Sequence, residues 1–339
     1  MRILVTGGTG YVGAHTTKAL VDAGHDVVLL VRNSARIDES LTPLGVSSPP
    51  FVIGDMTDRA SVAKAMDGCD AVVHAAAVVA LDRKRAEEVL RGNPLGAETV
   101  LGLAVDRGLD PIVHVSSVSA LFDPHASVID RDSELVEPDG AYGRSKVAAD
   151  RIAARLQRDG APIVITYPGG VIGPSAGKLT GEAAISIEIF AKTGCMVMAQ
   201  GGWSAIDVRD LAAVHLACID KNPGARRYIC GGQYVTWPGV AELIRKATGR
   251  RIPVIPIPGA VWRGFGRGLD VVTRVVPFET TFSAESMQLA TEWVPTDDSA
   301  VADELGVTWR DPLETMTDAL RSLYELGVLK ARHVGRIAR

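Results

Sequence analysis

Thr6-Gly7-Gly8-Thr9-Gly10-Tyr11-Val12-Gly13 places glycines in the pattern T-G-x-x-G-x-x-G, directly after the apolar run Ile3–Thr6 and before a helical segment that reaches to about Ala23. Absent side chains at these positions permit a tight turn, close approach of backbone to a pyrophosphate and close helix–strand packing. The helix start adds free N–H groups and a favourable dipole for phosphate. A glycine triplet alone is compatible with a plain turn, but strand before and helix after make this one a dinucleotide site. Further on, Tyr142 and Lys146 are spaced to share one helix face, a turn apart. A phenol with a pKa of ~10 exchanges protons poorly at neutral pH, and a nearby ammonium plus oxidised nicotinamide would lower that value. The pair therefore fits a tyrosine acid/base assisted by lysine. Taken by itself it is equally a solvated surface pair; the glycine motif and the Ser116-Ser117 step after another apolar run favour the chemical assignment.

The residues after the second apolar run decide which dinucleotide fits. An acid about 20 residues beyond the glycines would hold a ribose 2′-hydroxyl, but the sequence there is Leu30-Val31-Arg32-Asn33-Ser34. A guanidinium at Arg32, with Arg36 nearby, suits bidentate recognition of a 2′-phosphate. NADP(H) is the preferred cofactor on this ground, and NAD(H) remains the second option if Arg32 is only solvated. Asp55, after the third run, is placed to accept from an adenine amino group or to cap its own loop.

Apolar runs at Ile3–Thr6, Val27–Val31, Phe51–Ile53, Ala71–His74, Ile112–Ser116 and Ile163–Tyr167 position these groups. Continuous rather than alternating apolar runs mark strands covered on both faces, and the helices between them imply right-handed βαβ units. The expected fold class is α/β: a doubly wound parallel sheet, or Rossmann fold, with a smaller, mostly C-terminal substrate domain. Residues 1–174 are expected to form the dinucleotide-binding domain, with 205–232 returning to it through the helix Asp207–Lys221 and the strand-like Arg227–Cys230. Residues 175–204 and 233–330 would form the substrate domain, and 331–339 a solvated basic tail.

Composition limits the alternatives. A net charge of -4 over 339 residues offers no positive field for nucleic acid. Cys69, Cys195, Cys218 and Cys230 are scattered without a C-x-x-C pair, so neither zinc nor a disulfide framework is expected. Met1-Arg2 runs straight into the first strand rather than a signal sequence, which implies a cytoplasmic location. No stretch is long and apolar enough for an integral membrane span. The segment Arg263–Phe282, with Arg263, Arg267 and Arg274, reads as a substrate-domain helix, with an interfacial helix as the minority option.

With these residues in view, the chain resembles the extended short-chain dehydrogenase/reductase family, also called the NAD-dependent epimerase/dehydratase family. The ordered match comprises Thr6–Gly13, Gly54-Asp55, His74-Ala75-Ala76-Ala77, Asn93, Ser116-Ser117, Tyr142-Gly143-Arg144-Ser145-Lys146, Tyr167–Pro174 and Asp207-Val208-Arg209-Asp210. The resemblance implies that Ser117, Tyr142 and Lys146 are catalytic, Ser117 being chosen over Ser116 by its interval to the tyrosine, with Ser119 as auxiliary. It extends the cofactor-binding set to Thr6, Gly7, Gly10, Tyr11, Val12, Gly13, Arg32, Asp55, Met56, Ala75, Ala76, Ala77, Tyr142, Lys146, Pro168, Gly169 and Val171. Val118-Ser119-Ala120-Leu121 after the serine lacks the acid of the family's dehydratases, and Trp203 stands where its sugar-nucleotide enzymes carry an arginine. Val79, Ser119, Leu121, Gly170, Met196 and Trp203 are expected to border the substrate, beside other apolar residues that serve equally as core. Together with Arg32, this apolar side looks like the dihydroflavonol-reductase and 3β-hydroxysteroid-dehydrogenase branches. The expected activity is NADP(H)-dependent reduction of a ketone or aldehyde, or oxidation of the matching alcohol, on a fairly apolar small molecule. An NAD-dependent sugar-nucleotide epimerase and a non-catalytic dinucleotide-sensing protein are the alternatives. Family members often pair helices matching Pro94–Val105 and Tyr142–Leu156 across a homodimer, although packing within one chain explains their alanines equally well.

Overall fold

The computed structural model describes every residue except 79–84, 139, 199 and 276–282; the side chains of residues 274, 275 and 285 are likewise outside the description. The strands are β1 (Arg2–Thr6), β2 (Asp26–Val31), β3 (Phe51–Ile53), β4 (Ala71–His74), β5 (Ile112–Val115), β6 (Ile163–Pro168), β7 (Gly170–Ile172), β8 (Met196–Met198), β9 (Gly202–Asp207), β10 (Arg226–Cys230), β11 (Gln233–Thr236) and β12 (Val254–Ile257). The helices are α1 (Tyr11–Asp22), α2 (Ala35–Leu41), α3 (Arg59–Ala65), α4 (Ala86–Asp106), α5 (Ala141–Arg158), α6 (Ala184–Thr193), α7 (Val208–Lys221), α8 (Trp237–Thr248), α9 (Gly259–Val275), α10 (Ala284–Glu292), α11 (Pro312–Glu325) and α12 (Ala331–Val334).

Seven strands form one parallel sheet in the order β10-β6-β5-β4-β1-β2-β3. The strand runs are apolar throughout because both faces are covered. Leu4, Val28, Leu30, Val72, Ile112, Ile163 and Ile165 pack beneath α3, α4 and α5, while Ile3, Val5, Val27, Leu29, Val73, Val113 and Val164 pack against α1, α2 and α7. The chain reverses its direction of growth between β1 and β4, so the carboxyl ends of these two strands flank a crevice where ligands bind in such sheets. Thr6 stands in register with His74 there.

The second half departs from the expected pattern. Besides helices, it contains a three-stranded sheet in the order β11-β9-β7 and a parallel pair of β12 with β8. These strands of three to six residues interrupt segments that read as loops and connections. They owe their conformation to distant partners, which local pattern does not reveal. A third core joins α6, α8 and α11 around Trp203, Trp237 and Phe190. Residues 331–339 are not a solvated tail. His333 and Val334 are buried, Ile337 and Ala338 pack on this third core, and Arg336 Nε donates to the Ala247 carbonyl at 3.0 Å. The Arg336 side chain finds carbonyl acceptors at the end of α8, which a reading of charge alone overlooks.

His215 ties the layers together: Nδ1 lies 2.8 Å from Thr16 Oγ1 on α1 and Nε2 3.3 Å from Thr166 Oγ1 on β6. Burial pushes this imidazole down to about 3. Because the folded state keeps it neutral, stability is lost as pH falls from the unfolded value of about 6.5 towards the folded one. Thermal denaturation should therefore show Tm falling between about pH 7 and pH 4, and falling less steeply in His215→Gln. Parallel slopes for the two proteins would show that this histidine carries none of the acid sensitivity.

Candidate active site

The glycine loop occupies the crevice at the end of β1. Gly7 has φ +74°, and a Cβ there would lie 2.6 Å from the Ala76 backbone nitrogen; one on Gly13 would collide with the Gly7 carbonyl. Loop and helix are thus held closer than any side chain allows. Helix α1 starts with no side-chain cap and no acid in its first turn, leaving its positive end for an anion. Thr6 Oγ1 sits 2.7 Å from His74 Nδ1 and accepts from Ala76 N at 3.3 Å, which joins the first and fourth strand ends. The cleft above is lined by Thr6, Gly7, Gly10, Arg32, Arg36, Asp55, Met56 and Ala75 to Ala77. Asp55 Oδ1 accepts from Thr57 N and Oγ1 at 2.9 and 2.7 Å, so this carboxylate caps its own turn while still bordering the cleft. The cradle left by Gly7 and Gly13 and the uncapped helix start fit the pyrophosphate of a dinucleotide, with Arg32 and Arg36 lining the same cleft.

Ser117, at the end of β5, begins a single 3-10 turn in extended backbone conformation. The Ser119 hydroxyl donates to Ser117 Oγ at 3.0 Å, and Ser117 lies near enough to the Tyr142 hydroxyl to draw its pKa downward. Ser116 is buried, and its Oγ has no hydrogen-bond partner. Lys146, one turn along α5, is buried, donates to the Val115 carbonyl at 3.1 Å and stands 5.9 Å from the Tyr142 ring centre. Helix α5 is fixed against the sheet through Asn93 of α4. Its Oδ1 accepts from Val78 N at 2.7 Å and its Nδ2 donates to Ser145 Oγ at 2.9 Å, while Ser145 Oγ donates to the Tyr142 carbonyl.

The Tyr142 phenol is pushed upward by burial and then by the Glu182 carboxylate, with Ser117 pulling the other way. The lysine is itself driven down to about 8 by burial, against the pull of Asp150. Without a bound cation, Tyr142 is an acid holding its proton at neutral pH.

Several expected residues lie elsewhere. Leu121 and Met196 are fully buried core side chains, and Trp203 packs in the third core 5.7 Å from the Trp237 ring. They were expected to border the substrate; all three are largely buried, and Trp203 also lines a small cavity with Ile172, Ala205, Val235 and Arg310. Gly170 abuts the Trp203 ring and Ser119 lies beside Ser117; Val79 falls outside the described residues. Tyr11 and Val12 open α1; Pro168, Gly169 and Val171 lie where β6 passes into β7. Two carboxylates were missed. Glu182, just before α6, faces Tyr142, and partial burial of its carboxyl holds it above the usual range although the residue as a whole is exposed. Glu88 of α4 reaches the cleft that holds Arg32 and is clamped by Arg85 at 2.8 and 3.0 Å. Neither occupies a motif, and both arrive through tertiary packing.

A doubly wound parallel sheet with a glycine loop at its switch point and a serine–tyrosine–lysine group beside it defines an NAD(P)-binding enzyme fold. The profile of the NAD dependent epimerase/dehydratase family matches residues 3–231, and the chain belongs to that family. It is 29% identical over 335 residues to a dihydroflavonol 4-reductase-like protein of Synechocystis sp., covering 97% of this chain and 96% of the relative. It is 26% identical to the sterol demethylase protein B of Methylococcus capsulatus, covering 97% and 100%. Among solved structures it resembles UDP-glucose-4-epimerase from Stenotrophomonas maltophila with bound NAD and formylated UDP-arabinopyranose, with TM-score 0.75, 22% identity and coverage of 96% and 99%.

Gly7→Ala should weaken NADPH and NADH binding alike by roughly 10- to 100-fold, the equivalent of an overpacking cost of about 1–3 kcal/mol. Fluorescence titration checks this, and undiminished affinity would place the dinucleotide somewhere other than this loop.

Proposed function

We propose that the protein is an NADP(H)-dependent oxidoreductase that reduces a ketone or aldehyde of a fairly apolar small molecule, or oxidises the matching alcohol. The observation that carries this reading is Ser117, hydrogen-bonded by Ser119, standing beside a protonated Tyr142 with Lys146 one turn away. A bound nicotinamide would supply or accept the hydride. Tyr142 delivers the proton to the carbonyl oxygen, and Ser117 orients that oxygen by a second hydrogen bond. Lys146 stabilises the tyrosinate left behind and would hold the nicotinamide ribose. The gly-loop residues Thr6, Gly7, Gly10 and Gly13 would hold the pyrophosphate, with Arg32 and Arg36 reading a 2′-phosphate.

Support for an apolar substrate comes from the two relatives named for a flavonoid and a sterol rather than from Leu121, Met196 and Trp203, which the core claims. Glu182 near Tyr142 also disfavours an anionic group next to the reacting carbonyl. The epimerase alternative is favoured by the likeness to an NAD-bound epimerase, and would show as turnover of a UDP-hexose without added cofactor.

Calorimetric titration should give tighter binding of NADPH than of NADH, with Arg32→Ala narrowing the gap by roughly 10- to 100-fold, as expected for hydrogen bonds to a charged group. Preference for NADH, or NAD retained through purification, would move the epimerase to the front. Tyr142→Phe should lower kcat with an apolar ketone by about 100-fold or more while leaving NADPH affinity intact. Unaffected turnover in that variant would overturn the assignment.

A further inference from the structure

Beneath the glycine loop, a line of polar side chains crosses an otherwise apolar sheet face. Thr6, His74 and His114 stand in register on β1, β4 and β5, all directed at the α4–α5 layer that covers Leu4, Val72 and Ile112. The His74 and His114 rings stack with centres 5.5 Å apart, and both are buried. The line ends at Asp150 of α5, which is 1% exposed and lies 3.5 Å from His114 Nε2. Among the described residues, neither oxygen of Asp150 and neither ring nitrogen of His114 makes a hydrogen bond of ordinary length. Asp150 follows Lys146 by one helical turn on the same face of α5. None of this is required by hydride transfer as described above, and a buried carboxylate without close donors is costly unless a charge compensates it.

We propose that Asp150 is a positioning residue for the reaction: its buried carboxylate, braced by His114, keeps Lys146 in the ammonium form behind Tyr142. This rests on the oxidoreductase reading for its catalytic meaning. Burial acts on Lys146 in the opposite sense, and Asp150 is the group that opposes it. The other titratable groups facing this cluster are Tyr142 on α5, His74 on β4, His114 on β5 and Tyr167 on β6. Tyr167 meets Asp150 and carries Arg227 of β10 against its hydroxyl at 3.1 Å. Burial holds His74 neutral. Glu182 faces Tyr142 from the loop before α6. Among these groups Asp150 is the carboxylate on the lysine's own helix face, and its removal leaves a buried ammonium without that anion.

The test is the pH titration of the Lys146 Cε resonance in protein labelled with 13C-lysine, assigned by its loss in Lys146→Arg. The wild-type midpoint is expected near 8. In Asp150→Asn it should fall by about one pH unit, with Asp150→Glu restoring it and His114→Asn, which keeps the carboxylate, leaving it near the wild-type value. The alkaline limb of kcat/KM for carbonyl reduction should move downward with the same midpoint. An unmoved resonance in Asp150→Asn, or equal shifts in Asp150→Asn and His114→Asn, overturns the proposal. If Asp150→Asn does not fold, the comparison of Asp150→Glu with His114→Asn still decides, since the proposal requires both to retain a midpoint near wild type. Failure of the wild-type protein to bind NADPH would instead sink the oxidoreductase reading, while the resonance midpoints would still report the Asp150–Lys146 coupling.

Discussion

A parallel sheet covered on both faces leaves few places where polar chemistry meets a ligand. Along β1, β2, β4, β5 and β6, side chains alternate between two helical layers, and nearly all of them must be apolar. What remains available is the row of carboxyl ends, and the reversal of strand order between β1 and β4 opens it into a crevice. Every candidate functional group depends on that constraint. The glycine loop leaves β1, Ala75 to Ala77 leave β4, Ser117 leaves β5, and the Pro168–Gly169 step ends β6.

Helix α5 brings the candidate catalytic side chains to this arrangement. Tyr142 and Lys146 would stand together on any helix with their spacing, but their distance from Ser117 depends on how α5 lies against the sheet. Asn93 supplies that reference by hydrogen-bonding both the segment after β4 and Ser145, and Ser145 binds the Tyr142 carbonyl. A buried amide using both its donor and its acceptor side is directionally demanding, which suits it to fixing one element against another. At the far end of the crevice, Asp207 caps α7 and grips Arg209, which also pairs with Asp318 of α11. The C-terminal half is thereby attached close to the strand ends rather than at the sheet's margin.

Much of this was legible in the chain because local chemistry and fold agree there. The six apolar runs of the first half became strands β1 to β6, and Arg227–Cys230 joined the same sheet. The T-G-x-x-G-x-x-G spacing became a loop whose contacts exclude side chains at Gly7 and Gly13. What escaped was decided by distant partners. Strands β7, β8, β9, β11 and β12 pair in small sheets whose partners no local pattern reveals, and Trp203 and Met196 look the same in sequence whether they line a cleft or fill a core. Glu88 and Glu182 arrive at the site from a helix and a loop that no spacing rule connects to it. The upward push on Tyr142 follows from burial, which depends on the assembled layers.

The stacked histidines and Asp150 also bear on how stable this protein is. Both rings lie deep in the interior, and His114, Asp150 and Ser116 keep buried polar atoms without close partners. Burying a polar group that lacks a partner costs about 1–3 kcal/mol, against a net folding free energy of only about 5–15 kcal/mol for proteins generally, so a polar row through this interior works against stability. Selection for heat resistance alone would replace this row with valine and leucine. Variants hardened in that way would surrender the polar interior beside Lys146, so thermal endurance and turnover pull on the same few positions in opposite directions.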